Sequence, residues 1–299
     1  MKVLILGSTG MLGYALMNEA QGRKFTVYGA SRSQADIILD VTNEQDLSEF
    51  VYSLKPDVII NTVAITNLVS CEIDPGLSYR VNTRPVSILA EICNKIGAFF
   101  VQVSTDHYYT GDKKQKHTTT CPVCLLNEYA RTKFAAEAFA LTARNSLVVR
   151  TNIVGFRRFE GPPTFIEWVL KSLYNRSEIV LFEDFYTSSI EVGQFAKALF
   201  DLIPKQPRGI INLASHEVSS KKTFIEVVAR VFGYKLENPK LGSVKQLAQV
   251  QRAESLGLDV AETEALLGYN LPNLSQVVQS LKNVYEGDEK LACSMMMSC

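Results

Sequence analysis

Net charge and long apolar runs are both missing from this sequence of 299 residues. Lysine plus arginine and aspartate plus glutamate each total 31, so the formal net charge is zero. A chain with equal numbers of basic and acidic residues lacks the excess positive charge that is typical of proteins that bind nucleic acids or membrane surfaces in general. No apolar run approaches the ~20 residues that a membrane-spanning helix needs, and a glycine-rich turn interrupts the N-terminal apolar stretch too early for a signal peptide. These absences predict a cytoplasmic protein whose partner is neither nucleic acid nor membrane.

Cysteine and histidine are too scattered to predict a metal site. Cys121 and Cys124 form a C-x-x-C pattern, but among six cysteines and three histidines no second pair or histidine cluster completes a zinc site. A redox role would need a thioredoxin-like setting, which the sequence lacks. We therefore expect reduced thiols and no bound metal.

The chain opens on MKVLILGSTGMLG, in which an apolar run ends at a set of evenly spaced glycines. The run predicts a buried parallel strand, and the residues after it predict a helix. Gly7, Gly10 and Gly13 give the spacing G-x-x-G-x-x-G, a variant of the dinucleotide-binding fingerprint. The N-terminus of the following helix offers free N–H groups and a positive dipole end to phosphates. A plain strand–turn–helix stays the alternative.

The end of the predicted second strand favours NADP(H) over NAD(H). NAD-specific folds place an acidic residue about 20 positions beyond the glycines, and this chain has Ser31 and Arg32 there. A hydroxyl and a guanidinium suit a 2′-phosphate. An ordinary solvated loop arginine is the competing interpretation.

Alternating strand and helix patterns predict an α/β fold, a Rossmann-type doubly wound parallel sheet with a smaller C-terminal α/β substrate domain. We expect the NADP(H)-binding domain over residues 1–150 and the substrate-binding domain over 151–285. The segment around 190–214 is expected to return to the first domain, and 286–299 to form a flexible tail. Ala64 and Thr105 end strands at the same predicted edge as the glycines, where such sheets bind ligands.

A tyrosine and a lysine carry the predicted chemistry. Tyr129 and Lys133 are four residues apart in a predicted helix and so share one face. An ammonium beside a phenol stabilises the phenolate, which predicts a lowered pKa for Tyr129 and better proton transfer near neutral pH. Y-x-x-x-K pairs are common on helices, but here the pair follows a glycine fingerprint and a strand that ends at Thr105.

Motifs along nearly the whole chain resemble those of the extended short-chain dehydrogenases/reductases, and within them the dTDP-4-dehydrorhamnose reductase-like branch. These motifs are GSTGMLG, KPDVIINTVA, VSTDHYYTG, EYARTK, VVRTNIVG and LGLDVAETEALLGY. The resemblance implies an NADP(H)-dependent reductase of a nucleotide-activated 4-keto-6-deoxysugar, with NAD(H) as a second cofactor option. It implies a nucleotide-sugar substrate as the partner, with a homodimer as a further option.

The resemblance also implies roles for single residues. Tyr129 would donate the proton to the substrate ketone, Thr105 would hold the carbonyl oxygen, and Lys133 would bind the nicotinamide ribose. The expected cofactor-binding residues are Gly7, Thr9, Gly10, Met11, Leu12, Gly13, Ser31, Arg32, Asp40, Val41, Ala64, Ile65, Asn82 and Lys133. The expected substrate-binding residues are Thr66, Asp106, His107, Ile153, Arg157 and Arg158.

Departures from the branch's pattern weaken the expectation that the substrate is the branch's rhamnose precursor. His107 replaces a tyrosine, Ile153 replaces an aromatic residue, and residues 184–189 replace the usual nucleotide-sugar segment. Arg157 and Arg158 add guanidinium groups that suit a substrate diphosphate, or that only keep a surface loop in solution.

Two other functions stay open. The first is a nucleotide-sugar epimerase or dehydratase, although dehydratases carry an acidic pair where Asp106 and His107 stand here. The second is a non-catalytic NADP-binding regulatory subunit, as in the β subunit of methionine adenosyltransferase, which resembles this branch. Intact Thr105, Tyr129 and Lys133 favour an enzyme.

Overall fold

The computed structural model describes residues 1–159, 161–246, 250–288 and 291. Its strands are β1 (Lys2–Leu6), β2 (Thr26–Ser31), β3 (Ile37–Ile38), β4 (Val58–Asn61), β5 (Phe99–Val103), β6 (Ser146–Arg150), β7 (Ile153–Val154), β8 (Ile179–Phe182), β9 (Tyr186–Thr187), β10 (Ile190–Glu191), β11 (Gly209–Asn212), β12 (Ser219–Ser220), β13 (Pro239–Gly242) and β14 (Ser255–Leu256). Its α-helices are α1 (Met11–Gln21), α2 (Glu44–Leu54), α3 (Leu68–Ile73), α4 (Pro75–Asn82), α5 (Arg84–Ile96), α6 (Glu128–Ala140), α7 (Phe165–Tyr174), α8 (Val192–Leu202), α9 (Lys221–Phe232), α10 (Ala261–Leu267) and α11 (Leu274–Glu286). No helix in these described ranges has both the length and the apolar character needed to cross a membrane.

The first strand and helix form where the apolar run gives way to glycines. Val3 through Leu6 are all buried, as expected for a strand covered on both faces. Gly7 follows with a φ of +83°, a left-handed conformation that a side chain would disfavour. α1 begins after Gly10, which has no side chain to cap the first N–H groups of the helix. The N–H groups of the turn itself, from Gly7 to Gly10, donate hydrogen bonds within the fold, so the backbone N–H groups that the described residues leave unpaired here are those of the first turn of α1, Met11 to Gly13.

Seven strands form one parallel sheet in the order β11-β6-β5-β4-β1-β2-β3. The chain moves outward from β1 to β3 and then returns to place β4 on the other side of β1. Doubly wound sheets open a ligand crevice at this reversal, beyond the carboxyl ends of the strands. The predicted Rossmann-type doubly wound sheet is confirmed.

Helices cover both faces of this sheet. Val3 and Ile5 belong to one buried cluster and Leu4 and Leu6 to another, because successive strand side chains point to opposite faces. α1 and α8 pack on the first face, and α2, α5 and α6 pack on the second. The site is thus built on a sheet that is buried on both sides.

A third buried cluster joins α7, β8, α9 and α11, and we call these elements the second lobe. β11 and α8 lie with the main sheet instead, since β11 pairs with β6 and α8 packs along α1. The boundaries of the two predicted domains stay predictions. The predicted tail 286–299 lies mostly outside the described residues; of those described, Asp288 pairs with Arg158 and Leu291 is buried in the second lobe.

The helical stretch before β5 forms two helices where the sequence pattern predicts one. The sequence predicts one mostly helical segment over 77–96, whereas α4 ends at Asn82 and α5 begins at Arg84. The Asp74 carboxylate accepts a hydrogen bond from the Leu77 N–H at 2.8 Å and so caps the start of α4. Pro85 lies in the first turn of α5, where its missing N–H costs nothing. Asp74 thus sets the start of α4, whereas Pro85, which has no N–H to continue the hydrogen bonding of α4, separates α4 from α5.

Candidate active site

The glycine turn after β1 packs too closely to admit side chains. A Cβ on Gly7 would lie 2.6 Å from the Thr62 hydroxyl oxygen, and one on Gly13 would lie 2.1 Å from the Gly7 carbonyl oxygen. A Cβ on Gly10 would approach only the Gly7 carbonyl oxygen, at 3.2 Å. Gly13 therefore permits α1 to pack on the turn, while Gly10 leaves an open cradle at the start of α1 that fits a phosphate group.

A cavity of about 490 Å³ lies at the carboxyl ends of β1, β2 and β4. Nine of the predicted cofactor-binding residues line it: Gly7, Thr9, Gly10, Ser31, Arg32, Asp40, Val41, Ala64 and Ile65. Its volume falls within the range of about 300–1,000 Å³ typical of small-molecule and cofactor sites. The bare backbone at Gly10 and the volume of the cavity both fit a dinucleotide.

Five other predicted cofactor-binding residues do not line this cavity: Met11, Leu12, Gly13, Asn82 and Lys133. Asn82 instead fixes its wall, because its side chain accepts a hydrogen bond from the Ile65 N–H at 2.7 Å and donates one to the Ile65 carbonyl at 3.0 Å. The buried Leu12 belongs to the core beneath α1. The side chains of Leu12 and Asn82 thus support the cavity rather than line it, and the expected cofactor-binding roles of these five residues stay predictions.

Ser31, the last residue of β2, and Arg32, which follows it, have different surroundings. Ser31 is buried, and its hydroxyl accepts a hydrogen bond from the Thr9 N–H at 3.2 Å, which ties β2 to the glycine turn. Arg32 is exposed and lines the cavity. Nearby, hydrogen bonds from the backbone N–H and hydroxyl of Thr42, aided by the charge of Arg32, lower the pKa of Asp40. One cation and one carboxylate therefore line the cavity near this strand end.

Tyr129 and Lys133 lie one turn apart on α6, and Thr105 follows β5. Tyr129 is only 8% exposed and packs against Leu68 and Cys71. The Lys133 ammonium donates a hydrogen bond to the Val103 carbonyl at 2.7 Å. Burial raises the pKa of Tyr129 to about 12, against a hydrogen bond with Thr105 that lowers it. Burial also lowers the pKa of Lys133 to about 8.

The predicted lowering of the Tyr129 pKa is therefore wrong. The four-residue spacing correctly puts Tyr129 and Lys133 on one helix face, but it carries no information on burial, which disfavours the charged phenolate. The phenol keeps its proton at neutral pH. It is in the form that can donate.

Asp106 and His107 lie beside Tyr129 and are both buried near the Lys221 cation, and burial shifts their pKa values in opposite directions. Burial raises the pKa of Asp106 to about 7, although the Asn152 amide donates a hydrogen bond to its carboxylate at 2.7 Å. The His107 ring meets the Tyr129 ring edge-on at 5.8 Å. Burial lowers the pKa of His107 to about 4, and the charges of Arg252 and Lys221 add to the effect. Among the described residues, no hydrogen-bond partner reaches His107 Nδ1.

Three residues near this group were not found from the sequence: Asn152, Lys221 and Arg252. Asn152 links Asp106 to Ser189, whose hydroxyl donates to the Asn152 amide oxygen at 2.6 Å. The Lys221 ammonium lies 4.2 Å from the centre of the Phe165 ring. Lys221 and Arg252 come from distant parts of the chain, so no local spacing could have indicated them.

The remaining predicted substrate-binding residues are spread over the molecule. Thr66 is exposed, and Ile153 packs against the core of the main sheet. Arg157 lines the cofactor-sized cavity, whereas Arg158 pairs with Asp288 and lies over the ring of Tyr14. The structure therefore brings Asp106 and His107 to Tyr129 but takes both arginines towards α1.

Cys121 and Cys124 are free thiols, as are the buried Cys71 and Cys93. Cys293 and Cys299 lie outside the described residues. Within the described ranges, no group of histidine, cysteine or acidic side chains could hold a metal ion.

Comparisons with known proteins match nearly the whole chain. The profile of the family described as RmlD substrate binding domain matches residues 1–286. A dTDP-4-dehydrorhamnose reductase of Burkholderia thailandensis is 30% identical over 185 residues, which make up 62% of this chain and 59% of that protein. A probable low-salt glycan biosynthesis reductase of Haloferax volcanii is 23% identical over 297 residues, 95% of this chain and 98% of that protein. The match to the first relative thus spans less than two thirds of its length.

The fold is also similar to solved structures. A crystal structure of dTDP-4-dehydrorhamnose reductase from Bacillus anthracis in complex with NADP aligns with a TM-score of 0.85. That alignment has 22% identity and covers 95% of this chain and 99% of the other. At this identity the likeness supports the architecture.

Proposed function

The chain belongs to the RmlD substrate binding domain family, and on that premise we propose that it is an NADP(H)-dependent reductase of a nucleotide-linked keto-sugar. The observation that carries the proposal is the position of Tyr129 and Thr105. Thr105 follows the carboxyl end of β5, on the edge of the sheet where β1, β2 and β4 open a cofactor-sized cavity, and Tyr129 on α6 is hydrogen-bonded to it. A hydride donor in that cavity and a proton donor on α6 would serve one carbonyl group between them.

NADPH held in the cavity lined by Gly10 and Arg32 would supply a hydride for the carbonyl carbon, and such a reduction also consumes one proton. Tyr129 donates its phenolic proton to the carbonyl oxygen, because at neutral pH the phenol is protonated. The Thr105 hydroxyl holds the same oxygen, and Lys133, whose ammonium is positioned by the Val103 carbonyl, lies one helical turn away. General acid catalysis of this kind typically contributes a factor of about 10²–10⁴.

NADP(H) is the preferred cofactor in this proposal and NAD(H) the second option. Arg32 supports that preference, because its guanidinium lines the cavity at the end of β2, where NAD-specific folds carry an acidic residue. The Bacillus anthracis relative was solved with NADP. Homodimer formation and a cytoplasmic location stay predictions.

One observation favours a second candidate, a non-catalytic NADP-binding subunit. Tyr129 is only 8% exposed and packs against His107, Leu68 and Cys71. A phenol that no substrate reaches would leave a binding protein with an intact fold. Turnover of NADPH with a sugar substrate would separate the two candidates.

The test is oxidation of NADPH by the purified full chain with a panel of nucleotide-linked 4-keto-6-deoxysugars, each paired with its free sugar. We expect turnover of at least one nucleotide-linked substrate and little turnover of the free sugars, because binding of the nucleotide positions the ketone. The departures at His107 and Ile153 predict that dTDP-4-dehydrorhamnose is not clearly the best substrate. Binding of NADPH without turnover of any substrate would support the non-catalytic subunit instead.

A further inference from the structure

The segment 156–163, which we call the clamp loop, connects β7 with α7; Glu160 within it lies outside the described residues. One end of the loop is fixed in the second lobe. Phe156 is buried there, and the Arg157 N–H donates a hydrogen bond to the Glu167 carboxylate at 2.5 Å. The same carboxylate accepts a hydrogen bond from the Thr164 N–H at 2.7 Å and completes a capping box at the start of α7. The position of Arg157 is therefore fixed by the helix that follows it.

The other part of the clamp loop contacts α1, the helix that packs on the first face of the main sheet. The rings of Tyr14 and Phe159 meet edge-on with their centres 6.0 Å apart. The Arg158 guanidinium carbon lies 5.7 Å from the centre of the Tyr14 ring, and Arg158 forms an ion pair with Asp288. The loop thus joins the second lobe, α1 and the residues after α11.

This arrangement brings Arg157 and Phe159 into the wall of the cavity that contains Gly7 and Gly10. The charged residues of that wall are Arg32, Asp40 and Arg157. The backbone N–H and the hydroxyl of Thr42 both donate hydrogen bonds to Oδ1 of Asp40. Arg157 donates through Nε to the Pro162 carbonyl at 3.0 Å, and among the described residues its terminal amino groups have no hydrogen-bond or ion-pair partner. The cavity therefore presents two separate guanidinium groups to an anionic ligand.

We propose that Arg157 binds the pyrophosphate of the dinucleotide, an inference that rests on the proposed function. Arg32 lies at the end of β2, where the 2′-phosphate is expected, so a second cation in the same cavity fits the bridging phosphates at the Gly10 cradle. A guanidinium with two free amino groups pairs with phosphate oxygens in a bidentate manner. This role differs from the substrate diphosphate that the sequence predicts for Arg157 and Arg158. Arg158 is a positioning residue, because Asp288 and Tyr14 engage its guanidinium.

The test is calorimetric titration of the full chain with NADP⁺, with NAD⁺ and with dTDP, for the wild type and for Arg157→Ala, Arg157→Lys, Arg32→Ala and Arg230→Ala. Arg230 is an exposed arginine of the second lobe and serves as the matched control. Loss of a charge-assisted hydrogen bond weakens binding by about ten- to a hundredfold. We expect Arg157→Ala to raise both dissociation constants by that factor, because both dinucleotides contain the pyrophosphate. Arg32→Ala should raise only that of NADP⁺.

Arg157→Lys keeps the charge and should restore part of the affinity, which also tests the site if Arg157→Ala fails to fold. Unchanged binding of both dinucleotides by folded Arg157→Ala would overturn the inference and leave the proposed function intact. A loss confined to binding of dTDP would assign Arg157 to the substrate diphosphate and would also overturn it. Failure of the wild type to bind either dinucleotide would refute the proposed function itself.

Discussion

Tyr129, Asp106 and His107 show how burial sets the chemistry of single residues in this site. Burial raises the pKa of Tyr129 from its usual value of 10.0 to about 12, and the same desolvation keeps Asp106 protonated to a higher pH and His107 neutral to a lower pH. The motif around Thr105 identified these positions in the sequence. Their ionisation states could not be predicted, since spacing along the chain does not report the surroundings contributed by Lys221 and Arg252.

The two shifted groups beside Tyr129 predict an unusual pH dependence of stability. Asp106 has a pKa of about 7 in the fold against a reference of 3.8, so its contribution to stability falls as the pH rises from 4 to 7. His107 has a pKa of about 4 against a reference of 6.5, so its contribution rises as the pH rises from 4 to 6.5. In the wild type the two slopes oppose each other over nearly the same window.

Single substitutions should separate these slopes. Relative to the wild type, Asp106→Asn should make the free energy of unfolding increase with pH between 4 and 6.5, and His107→Gln should make it decrease between 4 and 7. Urea unfolding at a series of pH values measures both. Profiles of the two variants that stay parallel to that of the wild type would show that these groups do not titrate as the structure implies.

Among the secondary-structure elements, those with a local signal were predictable. β1, the glycine turn and α1 were predicted because an apolar run, glycines and a helix pattern follow one another directly. The break between α4 and α5 was missed because the apolar periodicity continues through it, while the Asp74 cap and Pro85 act locally. Five of the six two-residue strands, β7, β9, β10, β12 and β14, exist only through pairing with distant segments, which no local pattern encodes.

The close packing of Gly13, in α1, against the glycine turn leads to a prediction about stability. Gly13→Ala should cost about 3 kcal/mol of stability through overpacking, because the new Cβ would lie 2.1 Å from the Gly7 carbonyl oxygen. Gly97→Ala is the control, since Gly97 has a φ of +77° but nothing within 4 Å of its Cβ position. That variant should lose only about 1–2 kcal/mol from the left-handed backbone.

Chemical denaturation gives the two losses, and titration with NADP⁺ gives the consequence for the site. We expect Gly13→Ala to lose dinucleotide binding and Gly97→Ala to retain it. Equal losses of stability with unchanged binding in both variants would mean that the contact between α1 and the turn does not shape the cradle.

At the scale of the whole molecule, the proposed reaction draws on both the main sheet and the second lobe. The sheet contributes the cavity, Thr105 and Tyr129, and the second lobe contributes Lys221 and the fixed end of the clamp loop. The family and the sheet could be predicted because their motifs are short and continuous. The contacts between the sheet and the second lobe could not be predicted, because they join residues far apart in the chain.

The central claim is that Tyr129 donates the proton in an NADPH-dependent reduction of a nucleotide-linked keto-sugar. Its most direct test is kcat/KM for the best substrate of the panel, measured for the wild type and Tyr129→Phe, together with the dissociation constant of NADPH. Removing one hydroxyl should lower kcat/KM by about 10²–10⁴-fold and leave folding and NADPH binding unchanged. A Tyr129→Phe enzyme that keeps most of its activity would contradict the account and assign proton donation to another group.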